Sequence, residues 1–422
     1  MFPFIVLYIA LVLLRPQEYP ALEDAHLPLL PVTLVLALCS WLVSGSKSFA
    51  APQYVLLGAF LGVMMLSEAA NGWFGGVLAQ LLGFGPVFAA FIILANAVTS
   101  TRQVLLVMAI FVLCASVLAL HGIEQVKTGI GWTGVPLIQD GRIQYVGIFN
   151  DPNDLGMLFV LTLPMAVYLS GRGGAFGLRR LFWLGAGLML LYGIYLTDSR
   201  GALLAVAAVL GVWLWRRHGV MAAAFLGGIG LTGLMLLPSR LNDLSPDEES
   251  ASGRVDAWYE GFQMFFSHPV FGVGADNFTD YNNLTAHNSL VLVLAETGFV
   301  GFTLWLGFIG YCFLMMLTVL RHQPELPDAR ATAAWSTERA IAMTLLLSLS
   351  GWLATAFFLS RSYTVVLYLL TALVVAAYAN TRRQFSSLPG FDLGRDWVRL
   401  AGIAAMTVVG LYVVVRVLLA FQ

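Results

Sequence analysis

Apolar residues come in runs of about 17–25, again and again, along this chain. That is the length of helix needed to cross a bilayer. The runs fall near residues 2–14, 28–44, 53–70, 76–98, 104–121, 155–170, 181–197, 201–215, 219–237, 289–320, 339–359, 363–379 and 400–420. They do not alternate apolar with polar residues, as strands of a membrane barrel do. The pattern predicts an all-α, polytopic integral membrane protein of 12–13 spans, since the first run is short and the last holds Arg416. Only 11% of the residues are charged, against about 25% in a soluble domain. A net charge of −1 gives no basic surface for nucleic acid. The three cysteines, Cys39, Cys114 and Cys312, lie scattered inside apolar runs, which excludes a disulfide framework or a cysteine zinc site. Phe2–Leu14 reads as a short first helix rather than a cleaved signal.

Lys and Arg set the orientation, because they are retained on the cytoplasmic side. With the N-terminus inside, the inner connections hold fourteen of the 22 cations and the outer ones seven. The Arg-Arg pairs at 179–180, 216–217 and 382–383 all fall inside. Two long outer connections result, Gly122–Asp154 and Pro238–Ala286, while the inner connections are short or basic, as in 321–339. The chain divides into a transmembrane bundle (1–237), an outer loop (238–288) and C-terminal spans (289–422). Any chemistry must be assembled from helix ends and outer loops, because no connection is large enough for a soluble catalytic domain.

The most informative stretch is Ser252–Gly298. A helix is predicted from Ser252 to Ser267, stopped by Pro269, with Trp258, Phe262 and other aromatics on one broad face, as suits a membrane interface. Arg254 lies in its first turn, where free N–H groups favour an anion. An interfacial helix with an incidental arginine is the plainer reading. Pro269, Gly272 and Gly274 mark a tight turn that lacks the Lys-Ser/Thr of a phosphate loop. His287 and Asn288 open the next apolar run, which contains Glu296 and Gly298. A helix N-terminus and nearby arginines disfavour the imidazolium, which suits a general base; a structural histidine is the alternative. The segment reads as a lid over a cavity among the helices.

Arg200, in TDSRGALLA, is pinned between two apolar runs. It reads either as an anion-binding arginine or as a cation snorkelling from a helix end. In the other outer loop, Asn150, Asp151, Asn153 and Asp154 precede a helix start. Capping explains them; contact with sugar hydroxyls, or orientation of a base, is the alternative, and Arg142 is expected to reach the same site. His121 is a weaker candidate. The outer loops hold no His-rich ligand set, and the DxxD of Asp151 and Asp154 is a weak metal signal. Arginine rather than a metal is therefore expected to meet substrate charge. Neither a metal site nor a cofactor is expected. The candidate catalytic residues are His287, Arg200 and Arg254. Arg142, Asn150, Asp151, Asn153, Trp258, Asn288 and Glu296 are candidates for substrate binding.

The SR-G-A of 199–202, the G-R-x-x-x-W of 253–258, the HP-x-FG-x-G of 268–274 and the H-N-S-L-x-x-x-x-x-E-x-G of 287–298 together resemble the O-antigen ligase and polymerase superfamily. RPQEY (15–19) is similar to a ligase-like branch associated with exosortase systems. The resemblance implies a metal-independent, inverting glycosyltransferase of GT-C type in a bacterial inner membrane, with its site facing the periplasm. It implies a glycan donor on undecaprenyl pyrophosphate and, for a ligase, a lipid A-core acceptor in lipopolysaccharide biosynthesis. By motif, Arg200 and Arg254 would bind the pyrophosphate and His287 would activate the acceptor hydroxyl. A polymerase, or a protein O-oligosaccharyltransferase, differs only in the acceptor. A transporter of the lipid-linked glycan is the rival from another class, but transporters place polar residues at the bilayer midplane, and here they gather at outer helix ends.

Overall fold

Twelve of the thirteen apolar runs fold as helices in the computed structural model. It describes residues 1–421 apart from 46, 139–140, 173–176, 222–223, 225–226 and 229–248, with backbone alone for 249–252. Most of the run at 219–237, and the start of the second outer loop, lie outside the described residues. Helices of more than ten residues are numbered here as α1 (Phe2–Leu14), α2 (Leu29–Val43), α3 (Pro52–Ala70), α4 (Phe74–Ala97), α5 (Thr101–Thr128), α6 (Pro152–Ser170), α7 (Leu178–Leu196), α8 (Arg200–His218), α9 (Glu249–Ser267), α10 (Ser289–Arg321), α11 (Ala329–Ala356), α12 (Val365–Gln384) and α13 (Leu393–Ala420). Among the described residues, eight are long and apolar enough to cross a membrane: α3–α6 and α10–α13. The chain is an all-helical, multi-pass membrane protein. α1 and α2 are shorter, and α7 and α8 begin or end in arginines.

Local chemistry sets the helix boundaries. Ser100, Asp151, Ser199, Asp328 and Asp392 cap helix starts with their side chains, and Pro52 and Pro152 occupy first-turn positions where no N–H is missed. The Asp328 cap lengthens α11 backwards, so the expected 321–339 connection is non-helical only as far as Asp328. α9 begins three residues before the predicted Ser252 and ends at the predicted Ser267.

α12 is the axis of the bundle: 83% of its most apolar window is buried, against 17% for α13. Around it pack α4, α10, α11 and α5, while α13 lies outside against α9 and α10. The N-terminus of α12 carries Arg361 and Tyr363 to the same end as His287.

The 33-residue α10 is broken at Gly298, whose φ of 64° is left-handed. The turn predicted at 269–274 fills the break. The N–H groups of Val273 and Gly274 donate to the carbonyls of Ala295 and Glu296 (3.0 and 3.1 Å), and those of Phe299 and Val300 donate to Pro269 and Val270 (2.8 and 3.3 Å). Backbone groups that the break strands inside the bundle are thereby paired. Glycine is required on both sides: a Cβ on Gly298 would overlap the Val270 carbonyl, and one on Gly272 (φ 71°) the carbonyl of Glu296. Ser67 of α3 closes the joint, donating to the carbonyls of Phe271 (2.5 Å) and Glu296 (2.8 Å).

Candidate functional site

His287 directly precedes Asn288, the buried N-cap of α10, whose Oδ1 accepts from the N–H groups of Leu290 and Val291 (2.9 and 3.1 Å). Asn288 therefore works as a cap. The φ of His287 is 47°, a left-handed conformation that a β-carbon disfavours and that concentrates at functional sites. Burial pushes its imidazole below the ordinary histidine range, as do the charges of Arg254 and Arg361, against an opposing pull from Asp151. Three chain segments remote in sequence thus converge electrostatically on one half-buried ring: α9, the loop before α6, and the loop before α12.

Arg361 is the residue that sequence reasoning missed. It lies in SRSY between two apolar runs, the setting that drew attention to Arg200, and that logic would have found it. Its guanidinium grips Asp154 with two bonds, Nε to Oδ1 at 2.5 Å and Nη2 to Oδ2 at 2.7 Å. Asp154 is almost wholly buried, at 1% side-chain exposure, so this bidentate pair ties the start of α6 to that of α12. Burial lowers the affinity of Arg361 for its proton, but Asp154 and Asp151 outweigh it, and the net shift is upward. Of the roles open to Asp154 in the sequence, none names this one: its carboxylate holds Arg361.

The other loop residues knit together. Asp151 caps α6, accepting from the N–H of Asn153 (2.7 Å). Asn153 Oδ1 accepts from Arg142 Nη2 (3.2 Å) and Ser199 Oγ (2.7 Å). Arg142 Nε donates to the carbonyl of Thr197 (2.9 Å). Burial lowers the proton affinity of Arg142, opposed by Asp151 and Asp198. Arg200 is the first residue of α8; Ser199 caps that helix, and Asp198 before it has a φ of 44°. Gly201 lies against Phe358, three residues from Arg361. The hairpin with Arg200 and the loop with Asp151 are therefore one unit.

Beside this unit opens a cleft of about 430 Å³, lined by Asn150, Thr279, Thr285, Ser360, Arg361, Tyr363 and Glu296 among others. Glu296 is buried, accepting from the Phe278 N–H (3.2 Å) and the Tyr363 hydroxyl (2.7 Å). It presents the cleft with a carboxyl group already engaged on both oxygens. Trp258 packs edge-on against Phe357 and is 7% exposed, so it sits within packing on the inner side of α9. His121 is fully buried, with Thr133 Oγ1 at 2.8 Å and the rings of Trp132 and Tyr145 around it, which makes it a packing residue of the first loop. That loop is also where RPQEY docks. Arg15 pairs with Glu18 at 2.5 Å, Tyr19 and Tyr145 share a hydroxyl contact, and Tyr145 donates to the Leu14 carbonyl at 2.9 Å.

The arrangement offers an imidazole held toward its neutral form, fixed cations and a cleft lined by several hydroxyls, the Asn150 amide and the acidic side chains of Asp276 and Glu296. Such a set can take a proton from a hydroxyl and stabilise a polyanionic leaving group.

Comparisons with known proteins bear on the same stretch. Residues 184–306 match the family model described as O-Antigen ligase, a span that takes in Arg200, Arg254, His287 and Glu296. A relative, the exopolysaccharide production protein ExoQ of Rhizobium meliloti (strain 1021), is 24% identical over 228 residues. That match covers 45% of this chain and 51% of the relative, so the likeness spans about half of either protein. The motif resemblance and these matches agree, and together they support membership of the O-antigen ligase and polymerase superfamily.

Proposed function

We propose that this protein is a metal-independent, inverting glycosyltransferase of GT-C type in a bacterial inner membrane, with a cytoplasmic N-terminus. It moves a glycan from undecaprenyl pyrophosphate to a sugar hydroxyl of lipid A-core on the periplasmic face. The observation that carries the reading is His287: a half-buried imidazole kept from protonation by burial, Arg254 and Arg361. The acceptor hydroxyl gives its proton to His287 as its oxygen attacks the anomeric carbon. The bond from that carbon to the pyrophosphate oxygen breaks with inversion, and the departing charge is met by Arg200 and Arg254 without a metal. Arg361, committed to Asp154, acts by positioning: it keeps the Asn150–Asp154 turn beside His287. In this reading the cleft with Asn150, Arg142 and Asn153 nearby receives sugar, and α9 lies at the membrane surface.

A polymerase, which extends one lipid-linked glycan with another, is the second reading. The role named for the Rhizobium relative, exopolysaccharide production, favours it. The deciding experiment is transfer in vitro by purified protein with EDTA present, offering lipid A-core and lipid-linked glycan as separate acceptors. Product on lipid A-core is expected, and loss of product in Arg200→Ala and Arg254→Ala proteins that still insert. Unimpaired transfer by both variants would refute the assignment. Product on the lipid-linked acceptor alone would establish the polymerase.

A further inference from the structure

At the opposite end of α12, roughly 30 Å from Arg361 at 1.5 Å per residue, lies a second cavity of about 610 Å³ between α3, α4, α10 and α12. It plays no part in the glycosyltransferase reading. Its rim carries Lys47, Arg382 and Arg383, and no carboxylate is among its lining residues. Deeper in it are Met315, Val375, Tyr54 and Phe391.

The cations are held in place yet keep donors to offer. Arg382 Nε donates to the Leu388 carbonyl (3.3 Å), and Arg383 Nη2 to the Thr99 carbonyl (3.3 Å) and to Asn380. Each guanidinium has five N–H groups, so most remain for an anion. Lys47 lies over the Trp41 ring, 4.9 Å from its centroid, with Nζ donating to the Leu42 carbonyl (2.8 Å). The polar groups between rim and floor are already satisfied: Asn96 Oδ1 accepts from the Ser48 N–H, its amide reaches Tyr54 Oη, and the Tyr378 hydroxyl donates to the Pro389 carbonyl. The cavity is therefore cationic at its mouth and apolar below, between membrane-crossing helices. That combination suits a phosphate joined to acyl chains.

We propose that this cavity binds an anionic phospholipid, the phosphate against Lys47, Arg382 and Arg383 and the chains over Met315, Val375 and Phe391. The test is native mass spectrometry of the purified full chain, titrated with phosphatidylglycerol or phosphatidylcholine in the same detergent. Phosphatidylglycerol is expected to bind the more tightly. Each cation removed weakens it about fivefold, so the combined Lys47→Gln, Arg382→Gln, Arg383→Gln protein loses about a hundredfold. An Arg382→Lys, Arg383→Lys protein, which keeps the charge and the inside-positive bias, retains most of the affinity and shows that loss in the glutamine protein is not misfolding. Equal binding of the two lipids, or unchanged binding by the glutamine protein, overturns the proposal. So does inorganic phosphate displacing the lipid at equal concentration, since a free anion would then suffice.

Discussion

The two long connections beside His287 are joined to the bundle by different means. The first, between α5 and α6, is held chiefly by side chains. Gln125 reaches the carbonyls of Val135 and Pro136, Tyr145 reaches Leu14, and Arg142 and Ser199 share Asn153. The second, between α9 and α10, also takes side-chain bonds from Ser67, Asn71 and Gln80, but its seam is main chain, four backbone hydrogen bonds laid across the break in α10. Side-chain joints can yield and be replaced. A main-chain joint tolerates no added atom, because a backbone carbonyl has no rotamer to turn away. The same residue type therefore has a different worth in the two connections.

Glycine substitutions break that comparison most directly. Gly298→Ala and Gly272→Ala force both a left-handed alanine and an overlap with backbone, costing on the order of 3–4 kcal/mol; a large fall in Tm, or failure to accumulate, is expected. Next is Arg361→Gln, which leaves buried Asp154 unpaired at about 2–3 kcal/mol; adding Asp154→Asn is expected to restore part of the Tm but not transfer. Gly147→Ala in the first connection comes third. Its φ is also left-handed, at 65°, but the added Cβ meets the flexible side chains of Arg15 and Glu18, so about 1–2 kcal/mol is expected. A Tm loss equal to that of Gly298→Ala would erase the distinction between the two joints.

The smallest effect is in pH. Since the folded state holds His287 below its ordinary value of 6.5, the ring is neutral in both states above that pH. Below it the unfolded chain binds a proton that the fold refuses, so stability falls as pH drops. The acid limb of the transfer rate should lie under pH 6.5, and in Arg361→Gln it should move to higher pH. An acid limb unmoved by that substitution would mean that Arg361 does not act on His287.

The helices were legible because a bilayer demands long apolar runs: α1–α4, α6–α8, α10 and α12 lie within five residues of their runs, while α5, α11 and α13 reach seven to ten residues beyond theirs. The helix of aromatics was legible too, since Pro269 forbids its continuation. What the sequence hid is pairing between remote segments. Nothing in SRSY says that Arg361 will close on Asp154 more than 200 residues earlier. Glu296 and Gly298 were visible as a polar residue and a glycine in an apolar run, but only the fold shows that they face a turn of Pro269–Gly274. One clue stood unread: 33 residues are too many for a single straight crossing, since they would reach about 50 Å. Of the charges that act on His287, Arg254 and Asp151 were already candidates in the sequence; Arg361 was not.

The seam at Gly298 has a consequence for traffic. A flap that swings aside to admit a bulky lipid-linked molecule is cheap only where few bonds cross its edge. Here, swinging Pro269–Gly274 outward would snap four amide-to-carbonyl links together and strand their partners in a dry interior. This part of the roof is therefore masonry rather than shutter. An opening for a bulky substrate has to be sought elsewhere than at this turn.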